Sequence, residues 1–294
     1  MKFEELKFRK YGKNLPDVLE LEDEIPSVEV ALKSQLKRLN YLLGIVNEKK
    51  PNSYLDYINN LITKFKTLVK KDYLGSRNYD VYDFLTDSDK LRKFPELARN
   101  YINYIIQILQ VSDTTDLSNE KIKVTKRIYL RTLLVPRYYN TLVLTETIDQ
   151  EEAIRLYKYF VTQFVIDNQS PNMKIFESLE AFQEFFEKDK KEITIGVYGL
   201  LSDVTNGKFI FRKDNYLYAD AITDLPDKMV KYLVCCYVDF QAAVARSKGN
   251  FILTMKHTIV EGDSYCDCII HDTNIDWDLY HPSKKFWDNI ESDK

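Results

Sequence analysis

Residues 251–273, FILTMKHTIVEGDSYCDCIIHDT, decide how this chain is read. Two runs rich in Ile and Thr flank Glu261-Gly262-Asp263-Ser264, which reads as a tight turn with Gly262 first in a two-residue loop, the type II′ arrangement. The spacing predicts a hairpin of strands 251–260 and 265–272. Its register sets Val260 opposite Tyr265, Thr258 opposite Asp267, His257 opposite Cys268 and Thr254 opposite His271. Side chains alternate along a strand, so Met255, His257, Ile259, Cys266, Cys268 and Ile270 share one face, apolar enough to look inward or into a pocket. Thr254, Lys256, Thr258, Asp267, Ile269 and His271 share the other, which reads as solvated.

Working outward, further strands are expected at 193–200, 208–213 and 216–222, with Lys213-Asp214-Asn215 turning between the last two. A helix is expected from Asp227 to about Arg246 and a short one at 178–187. Earlier residues follow the helical period. In 28–48, Val28, Leu32, Leu36, Leu39, Leu43 and Val46 recur at three- and four-residue steps. A second helix starts after Pro51-Asn52 with Ser53 as N-cap, and a third covers 89–110, kinked or started late by Pro95. Amphipathic stretches at 121–147 and 149–167 continue the pattern, and the polar run SDTTDLSNE at 112–120 reads as a boundary. The expected fold class is α+β: an antiparallel sheet backed by helices in residues 120–294, after an all-helical N-terminal region in 1–115.

Composition narrows the function. Forty-two Lys and Arg against 45 Asp and Glu leave a formal charge of −3, which argues against a broadly basic nucleic-acid surface. Eight Gly and eight Pro in 294 residues is a small share, favouring long helices over a turn-rich sandwich. Twenty-one Tyr suit half-buried helix faces and pocket walls. The N-terminal stretch alternates charge without the apolar core of a signal peptide, and no apolar run approaches the ~20 residues a bilayer requires. Four cysteines, two of them adjacent, make no disulfide framework, so the expectation is a reduced cytoplasmic protein with no membrane partner. The Tyr-rich N-terminal helices offer a surface for self-association.

All four cysteines and all three histidines lie after residue 234, so nucleophilic or soft-metal chemistry belongs to the C-terminal part. In the predicted register His257 is roughly 5 Å from Cys268 and 7–8 Å from Cys266, measured between side-chain roots. Such proximity suits a thiolate–imidazolium pair, and equally suits small core cysteines beside a hydrogen-bonded histidine. Cys-x-Cys with a nearby His also suits a thiophilic metal, but only three ligands share the face, and no metal site is assigned. His271 and His281 read as surface histidines. Cys236 and Asp239 lie three apart on one helix face, where Asp239 would orient a base or bind a substrate amino group.

The helix LVCCYVDFQAA (233–243) followed by LTMKHTIVEGDSYCDC (253–268) resembles the L-2-amino-thiazoline-4-carboxylic acid hydrolase family. That family pairs a helix Cys-x-x-Asp with a later Thr-x-x-x-x-Gly-Asp-x-x-Cys-Asp-Phe. The matching positions are Cys236, Asp239, Thr258, Gly262, Asp263, Cys266 and Asp267, with Thr258 one residue closer to the glycine and Cys268 standing where the family has Phe. A cysteine the family carries near its first strands is absent from Tyr216-Leu217-Tyr218-Ala219-Asp220. The resemblance covers about residues 120–273. It implies a hydrolase acting on a C–N bond, cyclic amidine or amide, of a small amino-acid-derived molecule. Cys266 would be nucleophile, His257 base, and Asp239 or Asp267 the orienting carboxylate, with Cys236, Thr258 and Asp263 binding substrate. No cofactor is assigned. The alternative is a non-catalytic small-molecule sensor of the same fold.

Overall fold

A computed structural model of the chain describes residues 3–13, 17–169, 173–192 and 197–290. Its strands are β1 (Arg9–Gly12), β2 (Glu22–Ile25), β3 (Ile122–Thr125), β4 (Tyr198–Leu201), β5 (Lys208–Lys213), β6 (Phe251–Thr254) and β7 (Cys266–Asp272). Its helices are α1 (Val28–Lys49), α2 (Pro51–Leu68), α3 (Pro95–Leu109), α4 (Lys126–Thr147), α5 (Gln150–Asp167), α6 (Leu179–Glu192), α7 (Leu217–Asp220), α8 (Lys228–Cys235), α9 (Tyr237–Ala245) and α10 (Lys284–Asp288). The class is α+β: five strands join antiparallel in the order β1-β4-β5-β7-β6, and β2 pairs with β3 separately. Among the described residues no helix is long and apolar enough to cross a membrane.

The chain forms two compact units, Leu19–Phe164 and the pair Met1–Val18 with Val165–Lys294. This division differs from the expected 1–115 and 120–294. Residues 112–120 are no spacer within the first unit: Leu117 is fully buried, and its carbonyl accepts the Glu29 N–H at 2.9 Å in the opening turn of α1. Loop polarity misled because one apolar residue was enough to pin the loop down.

In that unit α1 starts where expected, because the Ser27 side chain accepts the Val30 N–H and leaves Leu32, Leu36, Leu39 and Leu43 buried. Pro51 and Pro95 occupy the first turns of α2 and α3, where a missing N–H costs nothing. Proline therefore set both starts, and Ser53 caps neither.

The second unit is built on the sheet. Phe182 and Phe186 of α6 pack edge-on or tilted against Phe209 and Phe211 of β5, at ring separations of 5.0–6.2 Å. The opposite face is covered by the chain's two ends. Phe8, Leu200, Ile210, Tyr265, Ile269 and Trp287 form one buried cluster there, with Phe3 and Phe286 packed against it.

Several strand expectations change. Residues 193–196 lie outside the described residues, and β4 begins at Tyr198. The expected strand 216–222 is the helical turn α7, because β7 already takes the free edge of β5. The expected helix 227–246 breaks at Cys236 into α8 and α9. β6 ends at Thr254, which pairs with Ile269, while Ile252 faces His271. The register is thus two residues from the expected one. The ladder does not reach the turn: residues 259–261 coil into a 3-10 turn that Gly262 closes at φ 107°, with the Asp263 N–H returning to the Thr258 carbonyl at 3.1 Å. An even offset keeps every β7 side chain on its expected face. The face expected to be solvated is nevertheless buried, with Asp267, Ile269 and His271 all at 0% exposure.

Gly262 holds a left-handed conformation that a side chain disfavours by roughly 1–2 kcal/mol. Gly262→Ala should lower unfolding stability by about that amount, as measured by urea denaturation.

Candidate functional site

β7 presents different chemistry on its two faces. On the first, Cys266 and Cys268 stand opposite Lys213 and Phe211 of β5. Lys213 Nζ lies 2.8 Å from Asp239 Oδ2, so the α9 carboxylate holds this lysine and orients no histidine. Burial pushes the Cys266 thiol up to about 12 against the pull of Lys213, and raises the Cys268 thiol well above its ordinary value. Cys266 Sγ accepts the Ile259 N–H at 3.3 Å. The Cys236 thiol is raised by its hydrogen bond to Cys235 and by burial. All four cysteines are buried and unpaired. The Cys–His pair implied by the expected register does not form, because the chain leaves the ladder before His257 and swings its ring to the other side.

On the second face the three histidines of the chain meet. His257 Nδ1 lies 2.6 Å from Asp267 Oδ2, while the Lys256 and His257 N–H groups donate to Asp267 Oδ1 at 2.7 and 2.8 Å. His281 Nε2 approaches the same Oδ2 at 3.0 Å, an ion-pair distance without the alignment of a straight hydrogen bond. Burial alone would raise the Asp267 carboxyl, but the close contact with His281, the His257 hydrogen bond and the two backbone N–H groups outweigh it and hold it below the usual carboxylate range.

The network continues inward. His281 Nδ1 and His271 Nε2 both touch Thr254 Oγ1, at 2.8 and 2.7 Å. His271 Nδ1 lies 2.5 Å from Asp276 Oδ2, which Lys208 Nζ also contacts. Burial lowers His271 below the ordinary imidazole value despite Asp276, so the ring is neutral at neutral pH. Its proton sits on Nδ1 facing Asp276, leaving Nε2 to accept the Thr254 hydroxyl proton. That hydroxyl has no second proton, so His281 Nδ1–H must donate to Thr254 Oγ1. The expectation that His271 and His281 are surface residues is therefore corrected: they are 0% and 6% exposed, His271 held between Thr254 and Asp276 and His281 packed against Trp287.

Thr258 and Asp263, expected to bind substrate, close the turn: the Thr258 hydroxyl donates to Glu261 Oε2 at 2.6 Å, and its N–H donates to Asp263 Oδ2 at 3.2 Å. Of the sequence-marked residues, the structure brings together His257 with Asp267, and Lys213-bound Asp239 with the thiols. It adds Thr254, His271, Asp276, His281 and Lys208. His271 was detectable, since it alternates onto the same strand face as Asp267. His281 had no local signal. Among the described residues, no group of three or more His, Cys, Asp or Glu side chains is arranged to hold a metal ion.

The arrangement suits general-base chemistry. Ionised Asp267 requires a His257 proton on Nδ1, which leaves Nε2 as the ring nitrogen available for proton transfer, and the His257 side chain keeps 23% exposure while Asp267 has none. Beside it, the Tyr265 ring meets the imidazole edge-on at 6.4 Å, and its hydroxyl donates to Asp288 Oδ1 at 2.6 Å with Lys284 Nζ 3.2 Å away.

Two tests follow from this geometry. Iodoacetamide at pH 8 should label none of the cysteines until denaturant is added, as mass mapping would show. Asp267 is depressed in the folded state, so its contribution is fully present above the ordinary carboxylate value and is lost as pH falls through the lower folded value. Asp267→Asn should cost about 2–3 kcal/mol at pH 7 and flatten the acid limb of a stability–pH curve. Comparison of the chain with family models, with curated proteins and with solved structures gives no match.

Proposed function

We propose that this chain is a hydrolase acting on a C–N bond of a small amino-acid-derived molecule, with His257 as the base in place of a cysteine nucleophile. The observation that carries the reading is a half-buried imidazole fixed at Nδ1 by a fully buried carboxylate, 2.6 Å away. In the reaction, His257 Nε2 takes a proton from water as the water oxygen attacks the carbon. The C–N bond then breaks, and His257 returns the proton to the departing nitrogen. Asp267 positions the ring and stabilises the imidazolium that forms between the two steps. Lys284 suits a substrate carboxylate, and Asp263, 3.7 Å from Lys284 Nζ, suits a substrate ammonium.

The resemblance to L-2-amino-thiazoline-4-carboxylic acid hydrolases supports the bond class, while the protonated thiols argue for water as the nucleophile. Four unpaired cysteines fit a reducing, cytoplasmic setting. The second reading, a non-catalytic small-molecule-binding protein of the same fold, is favoured by the same inert thiols.

Cyclic amidines, including L-2-amino-thiazoline-4-carboxylate, should be opened to carbamoyl products detectable by mass spectrometry. His257→Gln should lower kcat by about 10²–10⁴-fold. Turnover that survives His257→Gln and is abolished by Cys266→Ser would restore the thiol mechanism. Tight binding without product would favour the second reading.

A further inference from the structure

The sheet unit carries a cleft of about 1050 Å³ lined by Phe3, Asn206, Lys208, residues 275–278, Tyr280, residues 282–283 and Phe286. Its outer rim is aromatic and open: Trp277 is 85% exposed and Tyr280 54%. Phe3 packs against Tyr280 at 5.5 Å and against Phe286 at 5.4 Å, so the Tyr280 side of the cleft is a supported wall. Its floor is charged. Lys208 and Asp276, both nearly buried, pair with one another, and Asp276 also receives His271. Asp278, 57% exposed, stands 3.7 Å from Lys208 Nζ. The remaining lining residues are neutral, so Asp276 and Asp278 share the single Lys208 ammonium, and Asp278 is the carboxylate that opens to solvent. The Tyr280 N–H, donating to Asp278 Oδ1 at 3.0 Å, holds that carboxylate below its usual range and ionised at neutral pH.

A solvent-facing carboxylate that shares its lysine with a second carboxylate, beside exposed aromatic faces, is the chemistry that recognises a positively charged nitrogen on an apolar body: the carboxylate pairs with the charge, and the ring quadrupoles attract it further. An anion would meet Asp278 first, and a neutral ligand would leave its charge unused. We propose that this cleft is a binding site for a small organic ammonium ion, with the charge on Asp278 and the apolar part against Trp277 and Tyr280. The site uses none of the residues assigned to the reaction at His257, and its occupancy is read without turnover.

Phenethylammonium is a suitable probe, having one ring and one charge. Because Trp287 is 0% exposed, a ligand in the cleft should change the emission of Trp277. Titration of the full chain should give a saturable fluorescence change that is absent in Trp277→Phe. Calorimetry should show 2-phenylethanol and phenylacetate binding at least about tenfold more weakly. Asp278→Asn, a change at an exposed position, should weaken phenethylammonium by about tenfold and bring it level with the alcohol. Equal affinity for amine and alcohol, an unchanged affinity in Asp278→Asn, or no saturable signal up to about 10 mM would each overturn the assignment.

Discussion

The second unit depends on one constraint, the burial of β7 on both faces. A strand buried on one side can leave its polar side chains to water, but β7 lies between β5 and β6 with helices on one face and the chain's two ends on the other. Every polar group it carries must find a partner inside the protein, because an unpaired buried charge costs several kcal/mol. Asp267 meets that demand with two backbone N–H groups and two imidazoles. His271 meets it with Thr254 and Asp276. The histidine network is the price of placing Asp and His on a central strand.

The same burial separates two chemistries by the thickness of one strand. Cys266 and Cys268 share a face with Lys213 and Asp239, where low polarity keeps the thiols protonated and the lysine is held by a carboxylate. Asp267 and His271 share the other, where hydrogen-bond donors keep Asp267 ionised. Burial acts on all of them, yet its outcome differs with the partners present: the thiols have few donors and go up, while the carboxylate has several and goes down. His257 escapes full burial because it lies beyond the end of β6, in the segment that leaves the ladder. Its position in that loop is what leaves one ring nitrogen open for chemistry.

The sequence by itself determined the α+β class, the existence of helices α1 to α6, β5, and which side chains of β7 share a face. These properties follow from local periodicity, and an even register error leaves strand alternation untouched. Proline positions likewise mark the starts of α2 and α3. The stretch expected to be helical over 121–147 nevertheless opens with strand β3, and the N-terminal region expected to be all-helical holds β1 and β2. Tertiary structure alone decided where β6 ends, since pairing is settled by competition between the ladder and the turn that Gly262 closes. It decided that the Thr254, Asp267 and His271 face is buried, because the cover comes from the chain's two ends, which carry no mark of the surface they will protect. It also decided that His257 joins Asp267 and not a thiol. Faces are set by alternation within a few residues, whereas burial and partnership are set by whatever distant segment arrives to exclude the water.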